Sequence, residues 1–367
     1  MKRNIRSYVK AIAIVTTLGI ALTLAAMKTP RIMERFYIRY VFRPISRVLN
    51  SLTGVFPFSV GELMIALLAL WFLWRTTEMI IALCRRQKSE MRRARMLIVR
   101  IAAAAATIYF LIVISWNLSY YRLPFSEIAG LDVRPSSASE LERVCGDLIG
   151  DANSLRSSAK EDAGGRFHLP GGYRDVFSRA YLGYRKASAA YPDLGGDYQK
   201  PKDMFFSEVM SWAGLCGVYY PLTGEANVNI RMPDSLIPST ACHEMAHQRG
   251  FAREDEANYI SYVTCIANPG NDFKYSGTLL ALTYCMNSLY QHDRPAFSSL
   301  SKEYGDGLKR DLMQINEYWD GYEGPVERIY SSLNDVYLKS NMQTDGVSSY
   351  GRMVDLMIAR YRAEKSR

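Results

Sequence analysis

Residues 243–247, which read HEMAH, combine residue types and a spacing that can bind and use a metal ion. His243 and His247 are four positions apart, so on a helix their imidazoles lie on one face, one turn apart. Zinc takes imidazole nitrogen ligands at about 2.0 to 2.1 Å and in hydrolytic sites keeps one position for water. Glu244 adjoins the first histidine, where its carboxylate can accept a proton from that water. The stretch therefore predicts a hydrolytic metal site, with a charged helix surface as the alternative.

A third metal ligand is expected from the acidic run 254–256. If a second helix begins there, Glu254 and Asn258 share a face, whereas Glu256 points about 200° around the axis. Only one of the two glutamates can then face the ion. We expect Glu254 as the ligand and Asn258 as its hydrogen-bonding support, with Glu256 as the alternative ligand. Two histidines with one carboxylate favour zinc, although iron accepts the same ligand types.

Helix and strand patterns define the elements that must position these residues. Residues 237–250 begin with Pro and Ser/Thr signals and stop at Gly250, which predicts one helix of about three turns. Two β-favouring runs around a Thr-Gly turn predict a hairpin over residues 217–232, with Glu225 as a turn residue. Five further helices are predicted, at about 253–267, 276–291, 306–318, 325–339 and 349–363.

Long apolar runs are confined to the first third of the chain. They lie at about 11–27, 57–84 and 96–116. Each approaches the roughly 20 apolar residues that a helix needs to cross a bilayer. We therefore expect a membrane anchor of three transmembrane helices over residues 1–116 and one domain over residues 117–367. Between the first two runs, residues 30–50 place arginine at every fourth position and predict an amphipathic linker in the membrane interface.

Charge is divided unevenly between these two parts. Residues 1–116 contain 18 Lys and Arg against 4 Asp and Glu, and the remainder contains 27 against 32. The loop 85–95 holds six basic residues and one acidic residue, so the positive-inside rule places it in the cytoplasm and the domain on the extracytoplasmic side. Residues 28–50 also carry six basic residues, which argues against this orientation. The basic balance thus reports membrane topology, and no nucleic-acid partner is expected.

The six cysteines contain no CxxC pair, and five of them fall in the domain. An odd number argues against a full disulfide framework, so buried free thiols are expected. Cys242 lies about 100° from His243 around the helix and is interpreted as a packing residue. A closed structural zinc site usually has four Cys or His ligands and is therefore disfavoured.

The HEMAH stretch and the following EDEAN together resemble the gluzincin-type HExxH zinc metallopeptidases. The resemblance implies a zincin-like domain with Zn²⁺ as cofactor. It also implies roles for individual residues: ligation by His243, His247 and Glu254, base catalysis by Glu244, and support of a ligand by Asn258. The match covers about 20 residues, and the six residues between its two parts are far fewer than in typical gluzincins.

Two more roles are expected on the pattern of zincin sites. An edge strand before the metal-binding helix can bind substrate backbone, and residues 226–230 are the candidate, through Ala226, Asn227 and Val228. Tyr275 can donate a hydrogen bond to a developing oxyanion, although a core or rim tyrosine is the simpler interpretation.

A wider pattern resembles an uncharacterised family of bacterial membrane proteins. It consists of YYPLTGEANVN, the metal-binding stretch and FKYSG, behind apolar helices. The expected fold is mainly α: three N-terminal transmembrane helices, then a zincin-like extracytoplasmic α domain with a small β hairpin or sheet. The expected function is that of a multi-pass zinc metallopeptidase in the bacterial cytoplasmic membrane, acting on a peptide or protein substrate. The alternative is a non-catalytic zinc-binding sensor or envelope assembly factor. Since the motif is distant in sequence from the apolar runs, an external or juxtamembrane segment is the expected substrate.

Overall fold

The fold is mainly helical, with one small sheet. A computed structural model describes residues 2–84, 88–341, 343, 346, 348 and 352–365. In chain order its helices are α1 (Lys2–Lys28), α2 (Pro30–Ile32), α3 (Arg43–Thr53), α4 (Val60–Cys84), α5 (Lys88–Ser115), α6 (Phe125–Ala129), α7 (Ala138–Ser157), α8 (Gly172–Ala187), α9 (Ser207–Trp212), α10 (Ile237–Gln248), α11 (Glu254–Ala267), α12 (Asn271–His292), α13 (Arg294–Leu300), α14 (Asp306–Asp320), α15 (Pro325–Ser340) and α16 (Met353–Lys365). The strands are β1 (Lys202–Asp203), β2 (Gly217–Tyr220) and β3 (Glu225–Val228). The predicted mainly α chain with a small β element is confirmed.

Three helices near the N-terminus are long and apolar enough to cross a membrane. The candidate spans are Ile5–Lys28 in α1, Val60–Ile81 in α4, and Arg92–Tyr121, which begins in α5 and runs past its end. At most 11% of the residues in their apolar windows are buried, so most of this apolar surface faces away from the protein. α1 packs along α5, and the two approach closely where Gly19 meets the ring of Tyr109. The predicted basic loop 85–95 lies partly outside the described residues, at 85–87.

The predicted amphipathic linker is helical and lies against the domain. A π-helical stretch, Met33–Phe42, joins α2 to α3. Its buried face includes Ile38 and Phe42, whereas Phe36 and Tyr40 on the other face are exposed. In α3, Asn50 donates a hydrogen bond to the Gly224 carbonyl. One face of the linker thus packs on protein.

The domain core is built from α7, α8, α10, α11 and α12. α11 and α12 pack against each other, α12 also packs on α7, and α11 on α8. Small residues allow close approach: a Cβ at Gly183 of α8 would lie 2.1 Å from the carbonyl oxygen of Thr264 in α11. Four of the six free thiols, Cys145, Cys242, Cys265 and Cys285, are buried, as expected. Cys242 is fully buried and packs in this core, which confirms its predicted structural role.

The sheet has the strand order β1-β3-β2. The predicted hairpin is confirmed, because β2 pairs antiparallel with β3. The expectation that residues 226–230 form an edge strand is wrong: β1 pairs parallel with the other side of β3. Ala226, Asn227 and Val228 are buried in the central strand, so their backbone groups are not available to a substrate. Among the described residues, β2 is the edge strand nearer the metal-binding helix.

Glu225 does not serve as a turn residue but fixes the start of α4. Its carboxylate is buried and accepts hydrogen bonds from the backbone N–H groups of Val60 and Gly61 at 3.0 and 2.8 Å. It also accepts a charge-assisted hydrogen bond of 2.5 Å from Nζ of Lys202. The sheet is therefore joined directly to the first turn of the second apolar helix.

Candidate metal centre

Two consecutive helices, α10 and α11, present the predicted metal-binding residues to each other. Pro238 lies in the first turn of α10, where its missing N–H costs no helical hydrogen bond. The chain reverses at Gly250, whose φ of 84° is left-handed. A Cβ at this position would also lie 2.9 Å from the ring of Phe42 in the linker. The short connection between the helices therefore depends on glycine, and it brings Glu254 opposite the two histidines.

His243, His247 and Glu254 form a cluster whose ligand atoms all lie within 4.8 Å of one another. Oε2 of Glu254 is 3.1 Å from Nε2 of His243 and 3.6 Å from Nε2 of His247. The three side chains are between 6% and 14% exposed, so the cluster is shielded but reachable. The structure thus brings together the three predicted ligands.

The other nitrogen of each imidazole is already held by an acceptor. Nδ1 of His243 lies 2.8 Å from Oδ1 of Asn258, and Nδ1 of His247 lies 2.6 Å from the carbonyl oxygen of Phe251. Both contacts require the histidine to donate, so the proton of each neutral ring is on Nδ1 and the lone pair is on Nε2. Asn258 therefore occupies its predicted supporting position, and both rings are oriented as metal ligands.

The donor set fits a zinc ion. Tetrahedral ligands at zinc-ligand distances of about 2.0 to 2.1 Å are about 3.3 to 3.4 Å apart. The two separations from Glu254, 3.1 and 3.6 Å, lie on either side of this value, and the three donor atoms all lie within 4.8 Å of one another. Three protein ligands leave the fourth position open, as in catalytic rather than structural zinc sites.

Electrostatics of the cluster favour a positive charge at its centre. Burial alone would raise the pKa of the Glu254 carboxyl, but the adjacent His247 and His243 lower it to about 2. Burial alone would lower the pKa of His247, yet the charge of Glu254 outweighs it and raises this pKa to about 9. The raised pKa of His247 shows that the cluster attracts a proton where a cation would otherwise lie, so a metal ion would replace that proton.

Glu244 lies beside the cluster in a different chemical state. It is 4% exposed, and burial raises the pKa of its carboxyl to about 7 despite the opposing effect of His243 and His247. Among the described residues its Oε2 has no hydrogen-bond partner. A buried carboxyl group with a pKa near neutrality and a free oxygen can accept and return a proton.

Space for the Glu244 carboxylate is provided by Gly217, the first residue of β2. A Cβ at position 217 would lie 2.5 Å from Oε1 of Glu244. We therefore expect Gly217→Ala to displace this carboxylate and to lower any hydrolytic turnover by about 10- to 100-fold, a part of the usual effect of acid–base groups. The zinc content should stay unchanged because no ligand touches the new methyl group. The test measures turnover and zinc content on the same preparation. Unchanged turnover in the Gly217→Ala variant would contradict the role assigned to Gly217.

The cluster opens into a cleft of about 670 Å³. One part of the wall is the edge strand β2 with the preceding Cys216, and another part is α15, through residues that include Tyr330 and Leu333. The carbonyl oxygens of Cys216 and Val218 accept hydrogen bonds from the side of β3. Since ladder hydrogen bonds alternate, Gly217 and Tyr219 point their N–H and C=O groups towards the open edge. An extended peptide could pair with this edge.

Tyr275 and Glu256 are not brought to the cleft. Tyr275 is fully buried and donates a 2.6 Å hydrogen bond to Asp311, so the catalytic role expected for it is withdrawn. Glu256 accepts hydrogen bonds from the backbone N–H of Phe125 and from Arg253. It serves as a structural carboxylate on the other side of α11, which favours Glu254 over Glu256 as the third ligand.

Tyr330 is a cleft tyrosine that the sequence did not single out. It lies on α15, lines the cleft together with Glu244, and has its pKa raised by burial and by the charges of Glu254 and Glu244. No local signal could have found it, because α15 reaches the cleft only through the tertiary fold.

A pair of matched substitutions separates the two tyrosines. If the Tyr330 hydroxyl donates a hydrogen bond to charge that develops in a hydrolytic reaction, Tyr330→Phe should lower any hydrolytic turnover by about 10-fold or more. Tyr275→Phe should leave turnover unchanged and reduce the free energy of unfolding by about 1 kcal/mol, since it removes a buried hydrogen bond. The test measures turnover and thermal unfolding of both variants. Loss of turnover in Tyr275→Phe but not in Tyr330→Phe would support the role first expected for Tyr275.

The end of the third apolar helix reaches the metal cluster directly. Trp116 packs edge-on against His247, with ring centroids 5.3 Å apart, and lies 5.0 Å from the ring of Tyr219 in β2. The expectation that the motif is remote from the spans holds along the sequence but not in space. The cleft therefore adjoins the ends of the apolar helices.

The fold and the site thus define the class of this protein: a mainly helical chain with three apolar helices and an HExxH cluster. The chain belongs to the family described as Protein of unknown function (DUF3810), which matches residues 37–358. This match covers the linker from residue 37 onward, two of the apolar helices and the cluster. No curated protein and no solved structure matches the chain.

Proposed function

We propose that this protein is a membrane-anchored zinc metallopeptidase that hydrolyses peptide bonds on the extracytoplasmic side. The observation that carries the proposal is the unpartnered carboxylate of Glu244 beside three donor groups at zinc-ligand spacing. Both features face an open cleft with an available strand edge. Together they supply the groups that zincin-like peptide hydrolysis requires.

His243, His247 and Glu254 would hold the zinc ion. When bound, zinc acts as a Lewis acid and lowers the pKa of a water molecule to about 7. Glu244 accepts a proton from the attacking water and transfers it to the amine that leaves as the peptide bond breaks. Burial raises the pKa of this carboxyl to about 7 in the metal-free site, and the charge of a bound ion would lower it towards that of an ionised base.

The polypeptide substrate would lie along β2. The outward backbone groups of Gly217 and Tyr219 can pair with an extended segment, which holds its carbonyl over Glu244. Tyr330, on the part of the wall formed by α15, can donate a hydrogen bond to the oxygen of that carbonyl as negative charge develops. These hydrogen bonds involve only the substrate backbone, so the side-chain pockets of the cleft would determine which substrate sequences are cleaved.

The three candidate spans and the position of the linker support the proposed membrane placement. With three crossings, residues 30–53 and the domain after residue 116 must lie on the same side, and the contacts between Asn50 and Gly224 agree with that. The excess of basic residues in the loop 85–95 favours the cytoplasm for the opposite side. The cleft would then open on the extracytoplasmic surface.

A direct test uses the full chain in lipid nanodiscs with one equivalent of zinc. A pool of unstructured peptides, some attached to a single hydrophobic span, is incubated with it and analysed by mass spectrometry. New termini should appear in the pool and should be suppressed by a zinc chelator. Folded, zinc-loaded protein that cleaves no peptide above the buffer control would contradict the peptidase proposal and support the non-catalytic sensor.

A further inference from the structure

An exposed apolar surface follows β1 in the domain. Phe205, Phe206, Val209 and Trp212, here called the aromatic patch, are 87%, 45%, 59% and 44% exposed. The rings of Phe205 and Phe206 pack edge-on against each other, 5.0 Å apart. Such contiguous aromatic exposure is unusual on a surface that faces only water.

The aromatic patch is fixed next to the first turn of α4. The backbone N–H groups of Phe205 and Phe206 donate hydrogen bonds of 2.8 and 2.6 Å to the carboxylate of Glu62. Glu62 is the third residue of the candidate span Val60–Ile81 and is 8% exposed. The patch therefore lies level with the end of an apolar helix.

A second set of exposed apolar residues lies at the same end. Val55, Phe56 and Phe58 precede α4 and are 77%, 46% and 47% exposed. Lys202, which begins β1 shortly before the patch, donates from Nζ to the carbonyl oxygen of Phe58. The loop before α4 is thus joined to the strand that precedes the aromatic patch through the side chain of Lys202.

We propose that the aromatic patch inserts into the interface of the lipid bilayer around the start of α4. Aromatic side chains concentrate at the level of the headgroups, where membrane helices end. The segment 204–212 contains a single charged residue, Glu208, so insertion buries little charge. Continuity with the apolar surface of α4 favours lipid over a protein partner as the occupant.

This contact would hold the cleft at the membrane surface. The residues directly after α9, Ala213 to Cys216, line the cleft. A patch seated in the interface brings the entrance of the cleft close to polypeptide segments that emerge from the bilayer. The inference rests on the membrane placement proposed above and not on the peptidase activity.

Nitroxide spin labels measure the depth of the aromatic patch. Single cysteines replace Phe205 or Val209 in the full chain carrying Cys84→Ser, and the labelled protein is placed in nanodiscs of phosphatidylcholine and phosphatidylglycerol. Leu70→Cys in the middle of α4 is the lipid reference, and Lys302→Cys on the exposed surface of the domain is the aqueous reference. The parent without a new cysteine controls for labelling of the remaining thiols.

The readout is the ratio of spin collisions with oxygen to those with a water-soluble nickel chelate. We expect the ratio at Phe205 and Val209 to exceed that at Lys302 by about threefold or more, as for residues in the interface. A ratio equal to that at Lys302, with Leu70 in lipid, would overturn the inference alone. A Leu70 label that reports water would overturn the membrane placement together with the inference.

Discussion

Replacement of Glu244 by Gln is expected to abolish peptide hydrolysis while the zinc content stays at that of the unmodified protein. Gln has nearly the same shape but cannot accept a proton from water, and general acid–base groups contribute about 10² to 10⁴ in rate. In the proposed mechanism Glu244 would also orient the water, so we expect a loss of about 10³-fold or more. The carboxylate oxygens of Glu244 are not part of the ligand cluster, so metal binding should not change.

The test compares the rate constant for one cleaved reporter peptide and the zinc content of the same preparation. Asn258→Ala is the matched control, since it removes the partner of His243 and should weaken metal binding by about 10-fold or more rather than the proton transfer. Its activity should recover with added zinc, whereas that of Glu244→Gln should not. A Glu244→Gln variant with ordinary turnover would show that this residue is not the base.

Replacement of Glu225 by Gln is expected to have the largest effect on stability. The ion pair with Lys202 is buried, with exposures of 0% for Glu225 and 8% for Lys202. Removing one partner of a buried pair leaves a charge without compensation and costs about 3 to 5 kcal/mol. The Val60 and Gly61 N–H groups lose charged acceptors at the same time. The start of α4 should therefore detach from the sheet.

Thermal unfolding in nanodiscs measures this effect. At about 2 to 4 °C for each kcal/mol, the midpoint should fall by about 6 °C or more. Glu364→Gln is the matched control, because Glu364 pairs with Arg360 on the exposed end of α16 and should change stability by less than about 1 kcal/mol. Equal midpoints for the two variants would contradict the role assigned to Glu225.

Local sequence patterns were sufficient for the elements that carry the metal ligands. The four-residue spacing of His243 and His247 and the turn at Gly250 depend on neighbouring residues, and α10 and α11 form where predicted. The choice between Glu254 and Glu256 also follows from helical periodicity. These predictions are reliable because each rests on interactions within a few turns of chain.

Long-range packing decided what the sequence did not reveal. β3 is central because β1 pairs with its free side, and a two-residue strand leaves almost no pattern in the sequence. Tyr275 follows the metal helices closely in the chain, yet its hydroxyl points to Asp311 in α14. Trp116 reaches His247 from the end of a span across a separation of more than a hundred residues. Such contacts depend on tertiary structure, which periodicity does not encode.

The contact of Trp116 with His247 also joins the end of the third apolar helix to the candidate site. An apolar cluster that includes Phe42, Val113, Trp116 and Tyr219 connects the linker, α5 and β2. The family match extends across this junction, from residue 37 to residue 358. The end of the third apolar helix, at Trp116 and Tyr120, therefore forms part of the wall of the cleft.

The most direct measurement of the central claim is the zinc content of the purified full chain, determined by elemental analysis after dialysis against trace metal. We predict about one zinc per chain, the capacity of one three-ligand site. His247→Ala and Glu254→Gln should abolish it, and Glu256→Gln should retain it in protein whose folding is verified by circular dichroism. Folded full-length protein that takes up no zinc, or that loses zinc with Glu256→Gln but not with Glu254→Gln, would contradict the account.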